Sequence, residues 1–317
     1  MKTVVVTIPG MIFEDDLARL RAATDVTYVE VDSVTEDSLA ELAAEAEVLM
    51  LNFDVVVNGC GELSAGFWHR SELASLRAVS FDMTGIDWSS PSAALERGLV
   101  FMNIPHYSSQ SVAESVMAEI LLHSRQRHMA YVDEIKGRDV VGRKGINLHG
   151  RTIGVIGLGS IGSTVASLAR GLNMNVIGWN RSFRDGVELV SIPEVFERAD
   201  VVVVSLKTVK TGPDSNVGII DAEALARAKA SIVINLANRA LVDESAMAEA
   251  IAEGRVAAYS LDRNADSLAG PLGTLEQVHF PPGNAWNSDE SMDTLRETWV
   301  SNVLGFIAGA PTNIFTE

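Results

Sequence analysis

A single cysteine, few aromatic residues and no long apolar run close several classes of protein to this chain. Cys60 stands alone, so no disulfide forms within the chain and no cysteine metal cluster can be built, which suits a reducing compartment. Its neighbours Asn58-Gly59 and Gly61 include no base to activate a thiol, and Cys60 reads as incidental. No stretch approaches the roughly 18 apolar residues of a membrane span. The apolar start at residues 1–9 is short for a signal peptide and soon meets Glu14-Asp15-Asp16, so a cytoplasmic protein with no membrane partner is expected. Basic residues are also scarce: 25 Lys and Arg against 42 Asp and Glu give a formal charge of −17, and no Lys/Arg stripe relieves it. That field repels a phosphate backbone and argues against nucleic acid as a partner, while its plainer use is solubility.

What is present is the patterning of an ordinary globular protein, 47% apolar and 21% charged over 317 residues. That length exceeds what one core usually supports, so two domains are expected. Short β-branched runs at 3–8, 26–31, 47–52, 78–82 and 100–104 alternate with helical patterns, which means parallel strands with crossover connections. A longer helix is expected over 111–126, then a polar connector near 136–147. A second alternating series follows, with strands at 152–156, 175–179, 201–206, 231–236 and 256–261. Asp243 precedes a helix expected over 244–253, with Val242 and Met247 as a hydrophobic staple and Gly254 as its end. The fold class is therefore α/β, two units with parallel sheets in tandem.

The strongest motif follows the first strand of the second series. Gly157-Leu158-Gly159-Ser160-Ile161-Gly162 is a GxGxxG element between a strand and a helix. Gly157 permits the tight turn, Gly159 lets a pyrophosphate approach the backbone, and Gly162 allows helix and strand to pack closely. The next strand ends in Asn180-Arg181-Ser182, where a protein preferring NAD usually places a carboxylate for the ribose hydroxyls. A guanidinium and a hydroxyl without that carboxylate favour a 2′-phosphate, so NADP(H) is the expected cofactor, with NAD(H) as the alternative if Arg181 is only a solvated surface residue.

With these motifs in place, the chain resembles the D-isomer-specific 2-hydroxyacid dehydrogenase family over nearly its whole length. Four segments carry the resemblance: Thr84-Gly85-Ile86-Asp87, Asn103-Ile104-Pro105 with Val112-Ala113-Glu114, the GxGxxG loop, and Ile234-Asn235-Leu236-Ala237-Asn238-Arg239-Ala240-Leu241-Val242-Asp243, similar to the family's I-N-x-x-R-G-x-x-V-D. The resemblance implies two Rossmann/flavodoxin-like domains. A nucleotide domain over 103–286 is inserted into a substrate domain formed by 1–102 and 287–317, with the active site in the cleft and a homodimer as the assembly. It further implies that Arg239 clamps a small anionic 2-oxo or 2-hydroxy acid, with backbone donors from Met83-Thr84-Gly85. Asp262, after Leu261, orients the nicotinamide carboxamide, and Leu206-Lys207 pass beneath the cofactor beside Ala237. Lys207 departs from the family, which usually has a Pro near there.

The family pattern breaks at its proton relay. Members of the family carry a Glu five residues after the strand-end Asp, paired with a His that protonates the carbonyl oxygen. Here Ser267 stands at the Glu position and Gly283, in Pro281-Pro282-Gly283, where the His is expected. His279 and Asp266 are the candidate replacements, with His106 and Tyr107 as others. Two alternatives stay open: a substrate whose reaction needs no such acid, and a nucleotide-binding sensor or scaffold without turnover.

Overall fold

The computed structural model describes residues 1–210, 212–262 and 270–316. It divides into two units, Met1–Tyr107 with Ser288–Glu317, and Ser108–Asn287. Each is an α/β body built on its own parallel sheet.

In the first unit, β1 (Lys2–Thr7), β2 (Asp25–Glu30), β3 (Val48–Leu51), β4 (Ala78–Phe81) and β5 (Val100–Met102) lie in the order β2-β1-β3-β4-β5. Helices α1 (Glu14–Ala23), α2 (Glu36–Leu42), α3 (Phe53–Val57) and α4 (Pro91–Glu96) connect them. Every residue of β3 and β4 is buried, which is what a parallel strand covered on both faces requires.

In the second unit, α5 (Ser109–Ser124) and α6 (Arg127–Ile135) precede the strands β6 (Thr152–Ile156), β7 (Asn175–Trp179), β8 (Glu188–Leu189), β9 (Val201–Val204), β10 (Ser231–Asn235), β11 (Val256–Leu261) and β12 (Val278–His279). Their order is β12-β11-β10-β9-β6-β7-β8. Helices α7 (Ser160–Gly171), α8 (Ile192–Arg198), α9 (Ala222–Ala226) and α10 (Glu244–Ala252) lie between them in sequence. One face of the sheet packs Val155, Val203 and Ile234 against Val116 and Ile120 of α5 and Val165 of α7. The other packs Val202, Val204 and Val233 against Phe196, Leu225 and Met247. The chain then returns to the first unit as α11 (Asp289–Ile307), whose Leu295, Trp299 and Val303 cover Val5, Val48 and Met50. Trp299 Nε1 donates to the Ser80 carbonyl at 2.9 Å, so the returning helix is fixed by direction as well as by burial.

The strands of both alternating series stand within a few residues of their expected places. The cap also forms: Asp243 Oδ1 accepts from the amides of Ser245 and Ala246, both at 3.0 Å, and α10 follows. The expected helix over 111–126 ends at Ser124, and Gln126, at φ 54°, turns the chain into α6, an additional element. Strands β8 and β12, two residues each, are too short to display a period. Among the described residues no helix is long and apolar enough to cross a membrane.

Because every strand of the second sheet is parallel, the segments that follow them emerge on one edge. There the order reverses, with β9 and β7 on either side of β6, and the crevice outside such strand ends is where ligands of open α/β sheets bind.

Candidate functional site

The loop after β6 is shaped by contacts that no side chain could share. Gly157 adopts φ +97°, and a Cβ there would lie 2.6 Å from the Ser205 carbonyl oxygen; one on Gly162 would lie 1.9 Å from the Gly157 carbonyl oxygen. Gly159, by contrast, faces open space. No side chain caps the start of α7, so its first amides and the positive end of its dipole point at the loop. Ser109 Oγ and Ser160 Oγ, 2.6 Å apart, tie α5 to this turn. A close-packed base, an open Gly159 and an uncapped helix start fit a pyrophosphate.

Asn180, at the end of β7, belongs to the loop itself. Its Oδ1 accepts from the Leu158 amide at 3.0 Å, and its Nδ2 donates to the Ser182 carbonyl and hydroxyl at 2.9 and 3.1 Å. Arg184 Nε donates to the Leu158 carbonyl at 2.9 Å, a contact that sequence reading had no signal for. Arg181 is exposed and stands 3.8 Å from the exposed Asp214, a pair worth little in water. The rim after β7 thus gathers two guanidinium groups and a hydroxyl beside the phosphate loop.

The next segments are held by buried amides. Asn216 bonds both sides of the loop after β9, donating to the Lys207 carbonyl at 2.8 Å and accepting from the Val209 amide at 2.7 Å, while the Lys207 side chain is exposed and Leu206 packs against the core. Asn235, fully buried at the end of β10, accepts from the amides of Ala237 and Asn238 at 3.2 and 3.3 Å and donates to the Asn238 carbonyl at 3.0 Å. Asp262 follows β11, its amide bonded to the Asn235 carbonyl at 3.2 Å. Arg239 opens a short 3-10 turn and holds Glu244 with two parallel bonds, Nε to Oε1 at 2.7 Å and Nη2 to Oε2 at 2.8 Å. With Asn235 and Val242-Asp243 fixing the register of I-N-x-x-R-G-x-x-V-D, the Arg of that pattern falls on Asn238, and Arg239 comes one residue later.

In the first unit, Met83-Thr84-Gly85 follows β4 and is pinned on three sides. The Ile104 amide donates to the Met83 carbonyl at 3.0 Å, Thr84 Oγ1 donates to the Ile104 carbonyl at 2.6 Å, and Asn103 donates to the Thr84 carbonyl at 2.7 Å. Beneath it, Asp82 is buried and accepts from the Phe53 amide and from Asn52. Burial pushes its carboxyl up to about 7, against those hydrogen bonds.

His279 lies on β12, where Val278 joins the core on one face and the imidazole turns to the face covered by α5. Its Nδ1 is 2.7 Å from Glu119 Oε2, and Ser260 of β11 donates to the same oxygen at 2.5 Å. Burial alone would raise the Glu119 carboxyl, but the bonds from His279 and Ser260 hold it below the usual carboxylate range. The neighbouring His123 is pushed down to about 4 by burial and by the proximity of His128. Glu119 and His123 interrupt the apolar face of α5, a signal that sequence reading passed over. Asp266 and Ser267 lie outside the described residues.

Comparison with known proteins bears on this arrangement. Residues 117–282 match the model of the "D-isomer specific 2-hydroxyacid dehydrogenase, NAD binding domain" family. A D-3-phosphoglycerate dehydrogenase of Methanocaldococcus jannaschii is 33% identical over 304 residues, 92% of this chain and 55% of that protein. The chain thus spans about half the length of the phosphoglycerate dehydrogenases it resembles. A glycerate dehydrogenase of Methylorubrum extorquens is 28% identical over 90% of this chain and 91% of its own length. Among solved structures, an acyclic imino acid reductase in complex with NADPH and D-Arg superposes with a TM-score of 0.84 at 22% identity, covering both chains fully.

Proposed function

The chain belongs to the D-isomer specific 2-hydroxyacid dehydrogenase family, and from that premise we propose that it is an NADP(H)-dependent oxidoreductase acting on a small anionic 2-oxo or 2-hydroxy acid, assembled as a homodimer. The observation that carries this reading is the β6–α7 turn with Arg181, Ser182 and Arg184 on its rim. A bound nicotinamide supplies or accepts the hydride. Gly159 and the start of α7 receive the pyrophosphate, Arg181 and Ser182 the 2′-phosphate, and Asp262 with the loop at Ala237 the carboxamide. Asn180 and Asn235 keep these segments in place without touching the reacting atoms.

Arg239 clamps the substrate carboxylate in this reading, and Glu244 sets the plane of its guanidinium. The backbone of Met83-Thr84-Gly85 supplies further donors. The candidate acids for the carbonyl oxygen are His279, whose bond from Nδ1 to Glu119 leaves Nε2 to carry a proton, and Asp266.

A specific observation favours a second substrate class. The segment after β12, Pro281-Pro282-Gly283, contains no group able to deliver a proton. Reduction of a carbonyl leaves an alkoxide that must be protonated. Reduction of a protonated imine does not: the hydride pair forms the C–H bond, the C=N π pair becomes the nitrogen lone pair, and the product is a neutral amine. A solved structure described as an imino acid reductase shares this fold, which makes that chemistry a concrete alternative.

The test follows NADPH absorbance with glyoxylate, hydroxypyruvate, pyruvate and bulkier 2-oxo acids, each alone and with ammonium or methylamine. Turnover with the acid alone, reduced by Asp266→Asn, supports the first reading; turnover only with amine supports the imine. Arg239→Ala is expected to lower kcat/KM about 10- to 150-fold, the worth of a charge-assisted hydrogen bond. Tight NADPH binding with no turnover across the panel would replace both by a nucleotide sensor.

A further inference from the structure

Among the described residues, the second unit holds a polar cluster to which neither the GxGxxG loop nor the Arg239–Glu244 pair contributes. Of the six histidines in the chain, three converge on one place. Glu119 and His123 stand one turn apart on α5 and so share a face. His279 reaches them from the edge strand β12, and His128 from α6. The ligand-capable atoms Glu119 Oε2, His123 Nε2 and His279 Nδ1 all lie within 4.8 Å of one another. Glu119 and His123 are buried, and the side chain of His279 is 30% exposed, which leaves an approach from solvent.

Packing gives no reason for this composition. The same face of α5 is otherwise Ala113, Val116, Met117 and Ile120, set against the apolar surface of the sheet. Burying a carboxylate and two imidazoles there costs solvation, which apolar residues of similar size would not incur. Two imidazole nitrogens and a carboxylate oxygen are instead the donor set of zinc-class ions.

We propose that Glu119, His123 and His279 bind a single divalent transition-metal ion of the zinc class, joining α5 to the edge strand β12. Metal bonds of about 2.1 Å in a tetrahedron separate ligand atoms by about 3.4 Å. Two of the three separations, 2.7 Å from Glu119 to His279 and 3.9 Å from Glu119 to His123, bracket that value, and all three lie within 4.8 Å. Ser260 Oγ donates to Glu119 Oε2 and so orients that ligand, while its 2.8 Å contact with His123 Nε2 is the bond the ion would replace. His128 donates its Nε2–H to the Glu276 carbonyl at 2.9 Å, which leaves the lone pair on Nδ1, and its ring is 4.9 Å from that of His279. It is the nearest source of a fourth ligand; water is the other. The ion would fix a strand of only two residues whose single neighbour is β11.

The experiment uses the full chain, stripped with chelator and titrated with Co²⁺ by visible absorption and with Zn²⁺ by calorimetry. One equivalent per chain, Co²⁺ bands of low coordination number, and a rise of about 5–10 °C in unfolding midpoint at saturating Zn²⁺ are expected. His123→Asn and Glu119→Gln should weaken Zn²⁺ binding at least 100-fold. His279→Asn, at a partly exposed edge position, provides the same test should the buried variants fail to fold. His149→Asn, a histidine outside the cluster, should leave the titration unchanged. No stoichiometric binding, or binding that survives His279→Asn, would reduce the cluster to a hydrogen-bonded network and overturn the proposal.

Discussion

Two glycines of α7 should respond to the same substitution with opposite signs. A Cβ at Gly162 would stand 1.9 Å from the Gly157 carbonyl oxygen, 3.0 Å from its carbonyl carbon and 3.1 Å from Val155 Cγ1. Carbon and oxygen keep about 3.3 Å apart, so the start of α7 or the Gly157 turn must yield by about 1.4 Å. The atoms in the way are backbone, which makes the upper end of the overpacking range, about 3 kcal/mol, the fitting figure. Alanine's helical advantage returns about 1 kcal/mol, leaving Gly162→Ala destabilised by about 2 kcal/mol. Gly171, the last residue of the same helix, has nothing within 4 Å of its Cβ position, so Gly171→Ala should stabilise by about 0.5 kcal/mol. At about 2–4 °C per kcal/mol the midpoints of the two variants should differ by about 5–10 °C in thermal unfolding. NADPH titration by fluorescence should show at least a tenfold loss for Gly162→Ala, because the displaced amides are those the proposed site offers to the phosphates, and none for Gly171→Ala. Unchanged midpoint and unchanged NADPH affinity in Gly162→Ala would refute the reading of this turn.

Arg181→Ala should raise the NADPH dissociation constant about 10- to 100-fold while leaving that for NADH unchanged, since its exposed contact with Asp214 offsets little of a charge-assisted phosphate bond; parallel losses for both nucleotides in calorimetry would argue against it. Asn180→Asp keeps the acceptor for the Leu158 amide but brings a carboxylate to the rim, and the ratio of NADPH to NADH affinity should fall. The first unit should lose stability as pH rises. Asp82, at about 7 when folded against about 3.9 when unfolded, stabilises fully below about pH 4, and that contribution drains away up to about pH 7, by at most about 4 kcal/mol. Unfolding midpoints between pH 5 and 8 should therefore slope less in Asp82→Asn than in the parent; parallel slopes would show that Asp82 is ionised in the native state.

Much of the arrangement was legible because it follows local rules. Val201–Val204 is a β-branched run that suits a strand covered on both faces, and Asp243 before an apolar period is a favoured helix cap. Residues whose role depends on a distant partner were not legible. Asn216 and Asn235 look like ordinary loop and strand residues until their amides are seen pinning the segments after β9 and β10. The one-residue offset of Arg239 was visible in the sequence, but its consequence, a guanidinium laid flat on Glu244, was not.

The turn from Gly157 to Gly162 was legible in the sequence alone, because the backbone approaches of 2.6 Å at Gly157 and 1.9 Å at Gly162 leave no room for a Cβ, and glycines at that spacing between a strand and a helix mark such a turn. The alternation of strands and helices and the expectation of a parallel sheet have the same local origin. Tertiary structure decided which polar groups meet. Glu119 and His279 are separated by 160 residues, and nothing in either segment's periodicity indicates the other. Only the placement of β12 beside β11, under the third turn of α5, converts an anomalous glutamate and a strand histidine into partners.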